Sequence, residues 1–203
     1  MSQQEITEFP VETAQSKRFS IAYVVLIGAA IMAVAALLEH AMGRRWISAS
    51  GRILLWVSAV KSSENSQQIA DWYSFSHIIH GFFFYWFFRT ISRRRLSVGI
   101  CLLLTIGAEA SWEVLENSSF IIDRYRQTMS LDYYGDSILN SMSDISFCIA
   151  GFALARFLPV WVTVALIVIM EVGVGYAIRD NLTLNIIMLI HPFSAIRQWQ
   201  LGG

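Results

Sequence analysis

The stretch Leu96-Ser97-Val98-Gly99-Ile100-Cys101-Leu102-Leu103-Leu104-Thr105-Ile106-Gly107-Ala108-Glu109-Ala110-Ser111-Trp112-Glu113-Val114-Leu115-Glu116-Asn117 decides the fold. It stays mainly apolar for about 20 residues, the length a helix needs to cross a bilayer. Its last third nevertheless holds three carboxylates and an amide. Ionisable groups inside a membrane sit in a protein interior or a wet cavity, because hydrocarbon does not solvate them. Residues three or four apart share a helix face, so Glu109, Glu113 and Glu116 stack on one side, with Asn117 four beyond Glu113. That face is built to meet a polar partner.

The flanking segments supply the partner. Ser76-His77-Ile78-Ile79-His80-Gly81 opens the preceding apolar segment. Gly135-Asp136, Asn140 and Asp144 open the following one, and the last three stack at helical spacing. Successive spans alternate in direction. The start of one, the end of the next and the start of the third therefore share one membrane face. Ser137 and Ser141 form a small-residue stripe that permits close helix approach, and Gly81 leaves room for a neighbouring helix or a ligand. Asp136 also has the character of a helix N-cap. Glu109 and Asp144 lie about two turns deeper than the other acids, at about 1.5 Å rise per residue. They must be protonated, paired or next to water.

Composition agrees with a polytopic membrane protein. The chain has 203 residues, 55% hydrophobic and 15% charged, where a soluble domain is about a quarter charged. Its mean hydropathy is +0.51. Net charge is zero, and no basic block marks a nucleic-acid partner. Cys101 and Cys148 fall inside apolar segments and read as buried thiols. About five spans are expected, namely Phe19–Leu38, Phe75–Ile91, Leu96–Leu115, Ser137–Phe157 and Val160–Ile178, with Leu182–Ile190 as a short interfacial helix. Residues 1–18 read as a polar cytoplasmic tail and 19–203 as one membrane domain, a bundle of all-α class. Asp180 and Asn181 are expected to stop the fifth span.

Basic residues set orientation. Arg89, Arg93, Arg94 and Arg95 crowd the shortest connection, Lys17 and Arg18 precede the first span, and Arg156 lies between the fourth and fifth. Placing these inside gives a cytoplasmic N-terminus and a periplasm-facing polar cluster. The opposite side also carries basic residues, including Arg44, Arg45 and Arg52, so the density in the shortest loop decides.

Three kinds of chemistry fit the cluster. One is a metal centre, with imidazole from His77 or His80 and carboxylate from Glu113; a divalent metal such as zinc, manganese or iron suits that donor set. The second is acid–base catalysis by a hydrolase or transferase, using His77, His80, Glu113, Glu116 and Asp136 on a lipid-linked envelope substrate. The third is structural, the groups bonding one another to hold the helices in register. Asn117, Arg124, Tyr134 and Asn140 are candidate contacts for a ligand such as a lipid headgroup. Glu109, Asp144 and Glu171 would serve a proton path in a transporter, although five spans without a repeat do not resemble a secondary transporter. Glu39, with His40 at the end of the first span, reads as solvated at the surface, with membership of the cluster as the alternative. The loop between the first two spans, with Trp46, Leu54 and Trp56, reads as packed on the membrane surface or over the cluster.

The runs Ser62-Ser63-Glu64-Asn65-Ser66-Gln67, Asp71-Trp72-Tyr73, Trp112-Glu113-Val114-Leu115-Glu116-Asn117, Asp132-Tyr133-Tyr134-Gly135-Asp136-Ser137 and Arg179-Asp180-Asn181-Leu182-Thr183-Leu184-Asn185 resemble uncharacterised protein family 0314. The resemblance implies a small multi-pass inner-membrane protein of alphaproteobacteria with no assigned activity. The chain departs from the family pattern where many members carry a Cys-x-Cys-Gly turn and later histidines. Ser48-Ala49-Ser50-Gly51, Val57-Ser58 and Gln68 stand there instead. This chain thus lacks any loop metal site those groups would make. A looser similarity to VanZ-like membrane proteins implies a role at the cell envelope. Taken together, the sequence predicts an inner-membrane envelope protein in contact with the lipid bilayer, whose polar pocket has a structural or headgroup-binding role.

Overall fold

A computed structural model describes residues 20–128 and 133–202; the tail expected over residues 1–18 lies outside them. The described residues form helices joined by irregular segments. The helices are α1 (Ile21–Ala41), α2 (Ser74–Ile91), α3 (Val98–Glu116), α4 (Ser119–Thr128), α5 (Ile138–Phe157), α6 (Val160–Ile178), α7 (Leu182–Ile190) and α8 (Ser194–Leu201). Of these, α1, α3, α5 and α6 are long and apolar enough to cross a membrane.

The expected second span, α2, is not among them. Two serines, two imidazoles and Arg89 dilute its apolar content. Packing secures it instead, for α2 lies against α5 at backbone contact. A Cβ on Gly81 would fall 2.0 Å from the Cys148 carbonyl oxygen, and one on Gly151 would fall 2.1 Å from that of Ile78. The room left by Gly81 is thus filled by a neighbouring helix. On its other face, Phe83 and Phe87 are exposed and stacked at 5.5 Å.

Helices α1, α3 and α5 begin where a serine side chain satisfies a free backbone N–H. Ser97 accepts from Ile100 N at 3.3 Å, and Ser137 accepts from Asn140 N at 3.1 Å. The N-cap of α5 is therefore Ser137 and not Asp136, because the hydroxyl reaches the third amide while the Asp136 carboxylate turns to other partners. Similarly, α6 ends at Arg179 in the left-handed region (φ 56°). The span thus stops just before Asp180 and Asn181, and Asn181 also starts α7, accepting from Leu184 N at 2.8 Å. The short helix expected at Leu182–Ile190 is present, while α4 and α8 are additions to the predicted scheme.

The bundle has two unlike seams. Between α1, α3 and α5 the contact is apolar, built on Ala35, Ile106, Ala110 and Ile145 with Ile31, Leu102 and Ile149 around them. Small residues let helices approach closely, and close van der Waals packing is what holds helices together in lipid. Between α2, α3 and α5 the contact is polar. On α3, Cys101, Thr105, Glu109, Glu113 and Asn117 are all buried. Their spacing of four draws one polar stripe down the whole helix. On α5, Asn140, Asp144 and Cys148 do the same.

The long connection 42–73 closes the polar end of the bundle. It supplies the backbone acceptors that the first turn of α5 lacks: Ser137 N donates to Ser66 O (3.1 Å), Ile138 N to Arg45 O (2.8 Å) and Leu139 N to Trp46 O (3.1 Å). Side chains complete the seal. Asn140 Nδ2 donates to Gln68 O at 3.0 Å, and Ser137 Oγ donates to Gln67 O at 2.9 Å. Of the two placements predicted for this segment, covering the cluster is the one found.

Candidate functional site

The N-terminal half of α2, the C-terminal half of α3 and the N-terminal half of α5 meet at one end of the bundle. His77 lies at the centre. Its Nδ1 is 2.6 Å from Glu109 Oε1 and 3.3 Å from Glu113 Oε1. Its Nε2 is 3.7 Å from Asp144 Oδ2, too far for a hydrogen bond. One turn along α2, His80 Nδ1 lies 3.0 and 3.2 Å from the two Glu109 oxygens. Glu109 thus receives both imidazoles, which is why this deep carboxylate is tolerated.

Nearer the membrane surface, Asn117 ties the ends together. Its Nδ2 donates to Asp136 Oδ2 (3.1 Å) and Ser141 Oγ (3.2 Å), and its Oδ1 accepts from Asp136 N (2.7 Å). Tyr133 donates its hydroxyl to Asp136 at 3.0 Å. Burial raises the Asp136 carboxyl to about 7, against the pull of the Tyr133 and Asn117 hydrogen bonds. Gly135 makes this corner achievable. Its φ is +93°, and a Cβ would come within 2.9 Å of Asn117 Oδ1 and closer still to the Arg44 guanidinium.

Acids outnumber bases in this space. Glu39, Asp71, Glu109, Glu113, Asp136 and Asp144 are each at most 8% exposed, and Glu116 is half-buried beside them. They face His77, His80 and Arg44. Two like charges at about 4 Å repel by about 4 kcal/mol at the effective dielectric of a protein, several times the worth of one hydrogen bond. The cluster cannot hold every carboxylate ionised without added positive charge. Unpartnered atoms mark where the shortage falls: Glu113 Oε1, Asp144 Oδ1 and both Glu39 oxygens are buried and make no hydrogen bond of ordinary geometry. Glu39 therefore belongs to the buried polar set and not to the solvated surface expected for it. Its position four residues beyond the buried Ala35 turns it inward.

Among the described residues, three groups bring ligating atoms within 4.8 Å of one another: His77, His80 and Glu109; His77, Glu113 and Asp144; and Glu113, Glu116 and Asp136. They are linked through His77 and Glu113. Of the acid–base candidates, all five are therefore brought together. The expected ligand contacts are occupied internally. Asn117 and Asn140 are buried in the bonds just described, Arg124 donates to the Leu189 and Ile190 carbonyls at the end of α7, and Tyr134, itself exposed, donates to Ser63 O. Glu109 and Asp144 lie in the cluster. Glu171 has another task, accepting the free amides of Leu182 and Thr183 at the start of α7, both at 3.1 Å.

Sequence reasoning missed Asp71; it read Cys148 only as a buried thiol, which it is, and ranked Glu39 second for the cluster. The spacing of four from Asn140 through Asp144 to Cys148 was a usable signal. Asp71 had none, because its role is to hold a loop: it accepts from Ser66 N and Tyr73 N.

In the covering loop, Ser48, Ser50 and Gln68 converge on one carboxylate. Ser48 Oγ lies 3.2 Å from Ser50 Oγ and donates to Glu64 Oε2 at 2.7 Å. Gln68 Nε2 donates to the same oxygen, and Gln68 Oε1 accepts from Leu54 N. The hydrogen bonds from Ser48 and Gln68 hold the Glu64 carboxyl below its usual range.

The profile of the family described as "Protein of unknown function (DUF2585)" matches residues 39–202. A UPF0314 protein of Sphingopyxis alaskensis is 51% identical over 179 residues, covering 88% of this chain and 95% of the relative. One from Rhizobium meliloti is 47% identical, covering 85% and 87%, and one from Novosphingobium aromaticivorans is 53% identical, covering 80% and 84%. No solved structure matches the chain. The resemblance read from the motifs is thereby established, and the chain belongs to the UPF0314 family of alphaproteobacterial proteins, whose helices here are those of a membrane protein.

Proposed function

We propose that the protein is a multi-pass protein of the bacterial inner membrane, its N-terminus in the cytoplasm, and that the polar cluster is a lock on the periplasmic side. The lock fixes the 42–73 connection over α2, α3 and α5 and so sets the surface offered to the envelope. One observation carries this reading: the cluster is closed, with its carboxylates buried and its outer groups bonded to the covering loop. With Arg89, Arg93, Arg94, Arg95 and Arg156 inside, the topology obeys the positive-inside rule. The exposed Tyr134 and Trp199 then sit at headgroup level in the outer leaflet, where amphipathic aromatic rings are favoured.

The test pairs insertion with protection. His77→Ala combined with His80→Ala should leave insertion intact and make the 42–73 loop sensitive to added protease in spheroplasts. A loop as resistant as in the parent chain would overturn the lock. Labelling of Lys61→Cys, but not Arg94→Cys, by an impermeant thiol reagent on whole cells tests the orientation, and the reverse pattern would invert it.

The unpartnered oxygens of Glu113 and Asp144 favour a second reading, hydrolase or transferase chemistry on a lipid-linked envelope substrate. In that case a deletion strain accumulates a lipid species, and restoring the parent chain but not Glu113→Gln removes it. A proton-coupled transporter draws less support, because Glu171 is held by the start of α7.

A further inference from the structure

We infer that His77, Glu113 and Asp144 bind one divalent transition-metal ion, with Glu109 as the residue that positions the imidazole. The inference rests on the same cluster as the lock and names what closes it. Glu109 Oε1 lies 2.6 Å from His77 Nδ1 and accepts its hydrogen bond in the tautomer that leaves Nε2 as a lone-pair donor. That lone pair faces Asp144 Oδ2 at 3.7 Å, so two acceptors point at each other inside a buried space. Glu113 lies beside the same ring, its Oε1 3.3 Å from Nδ1, and His77, Glu113 and Asp144 each offer a ligating atom within 4.8 Å of the others. A carboxylate that orients a metal-bound histidine through its other nitrogen is the usual outer partner of such sites.

The dimensions agree. Two donors at about 2.1 Å from a tetrahedral zinc ion stand roughly 3.4 Å apart, so a contact of 3.7 Å closes by a few tenths of an ångström. The second, independent sign is the pair of unpartnered oxygens. Glu113 Oε1 and Asp144 Oδ1 lie in side chains that are 1% and 5% exposed, and both belong to this triad and not to the group of His77, His80 and Glu109. One imidazole with two carboxylates suits zinc, manganese or iron(II). Two positive charges also relieve the excess of acids that two imidazoles and one guanidinium leave.

The experiment uses the full chain purified in mild detergent without chelator. Total metal is measured, the metal is stripped, and zinc, manganese and cobalt(II) are added back, with the cobalt spectrum reporting nitrogen and oxygen ligands. The expected results are about one ion per chain, a melting temperature that climbs with added metal, and loss of uptake in Asp144→Asn and Glu113→Gln. Glu109→Gln should weaken uptake about 10–100-fold, and Glu64→Gln should leave it unchanged. Because a ligand variant can fail to fold, the metal-dependent melting shift of the parent chain stands as a second measurement. A folded parent chain that takes up none of the three ions and shows no shift would overturn the site, as would unchanged uptake in the combined Glu113→Gln, Asp144→Asn variant. Absent metal with a loop that still depends on the two histidines leaves the lock standing. Metal uptake with a loop indifferent to them removes the lock and keeps the site.

Discussion

Two carboxylates on the same side of the molecule are treated in opposite ways. Glu64, in the covering loop, is surrounded by donors; a serine hydroxyl and a glutamine amide share one of its oxygens. Glu113, beneath the loop, is more deeply buried and has an oxygen that no hydrogen bond of ordinary geometry reaches, the nearby His77 Nδ1 lying closer to Glu109. Burying a polar group without a partner costs about 1–3 kcal/mol, and more for a charge. Evolution of a purely mechanical joint would give the donors to the deeper group. The distribution found here separates a finished hydrogen-bond hub, which orders a loop, from an unfinished one, which waits for a proton or a cation.

The contrast can be broken or sharpened by substitution. The largest effect should come from Gly151→Leu, since even a Cβ there meets the Ile78 backbone. The α2–α5 seam that presents the imidazoles would separate, and folded protein should be lost from detergent extracts while the apolar α1–α3 seam remains. Removing the His77 side chain alone leaves Glu109 and Asp144 facing one another, and breaking a buried pair costs about 3–5 kcal/mol. A fall in melting temperature larger than that of any loop variant is the expected reading. Next comes Glu64→Ala, which strips the acceptor from Ser48 and Gln68. A loss of about 1–3 kcal/mol, seen as faster proteolysis within residues 42–73, would place the hub among ordinary structural networks. By contrast, Glu113→Gln in metal-free protein should raise stability, because it removes one charge from the excess. A drop would mean that Glu113 is satisfied by something besides the cluster.

The last effect concerns the rim and is read as a slope with pH. Asp180 accepts from Tyr73 OH (3.2 Å), Asn181 N (2.9 Å) and Gln200 Nε2 (3.1 Å), joining α8 to the start of α2. Burial lifts its carboxyl to about 6. A folded value above the unfolded one near 3.8 means that the folded chain holds the proton more tightly. Its stabilising share is therefore full below about pH 4 and is lost as pH rises through about 6, on the order of 3 kcal/mol at most. Thermal melts of the parent chain should show this slope between pH 4 and 7, and Asp180→Asn should flatten it.

How much of this was legible in the sequence follows from periodicity. The apolar runs marked α1, α3, α5 and α6 to within three residues at each end, because length and hydropathy are enough for a span. The spacing of four along Glu109, Glu113 and Asn117 placed the polar face, and alternation of direction put the three polar tips together. The 42–73 connection carries no period, so nothing in it announced that Arg45, Trp46 and Ser66 would serve the first turn of α5. Short amphipathic helices such as α4 and α8 give too few turns for their pattern to stand out. Asp136 and Ser137 are both good caps, and only the tertiary claim of Tyr133 and Asn117 on Asp136 decides between them. Glu39 and Glu171 were misread for one reason: a charged residue at or within a span has no visible partner until distant backbone is folded around it.

The closure of α5 by carbonyls of the 42–73 connection has a consequence for the order of events as the chain is made. The loop emerges first, and the groups it will serve are synthesised some 70 residues later. Until then its carbonyls have only water for company. Assembly of this end of the protein thus waits for the fourth apolar segment to reach the bilayer, and the acids come under cover only at that last docking.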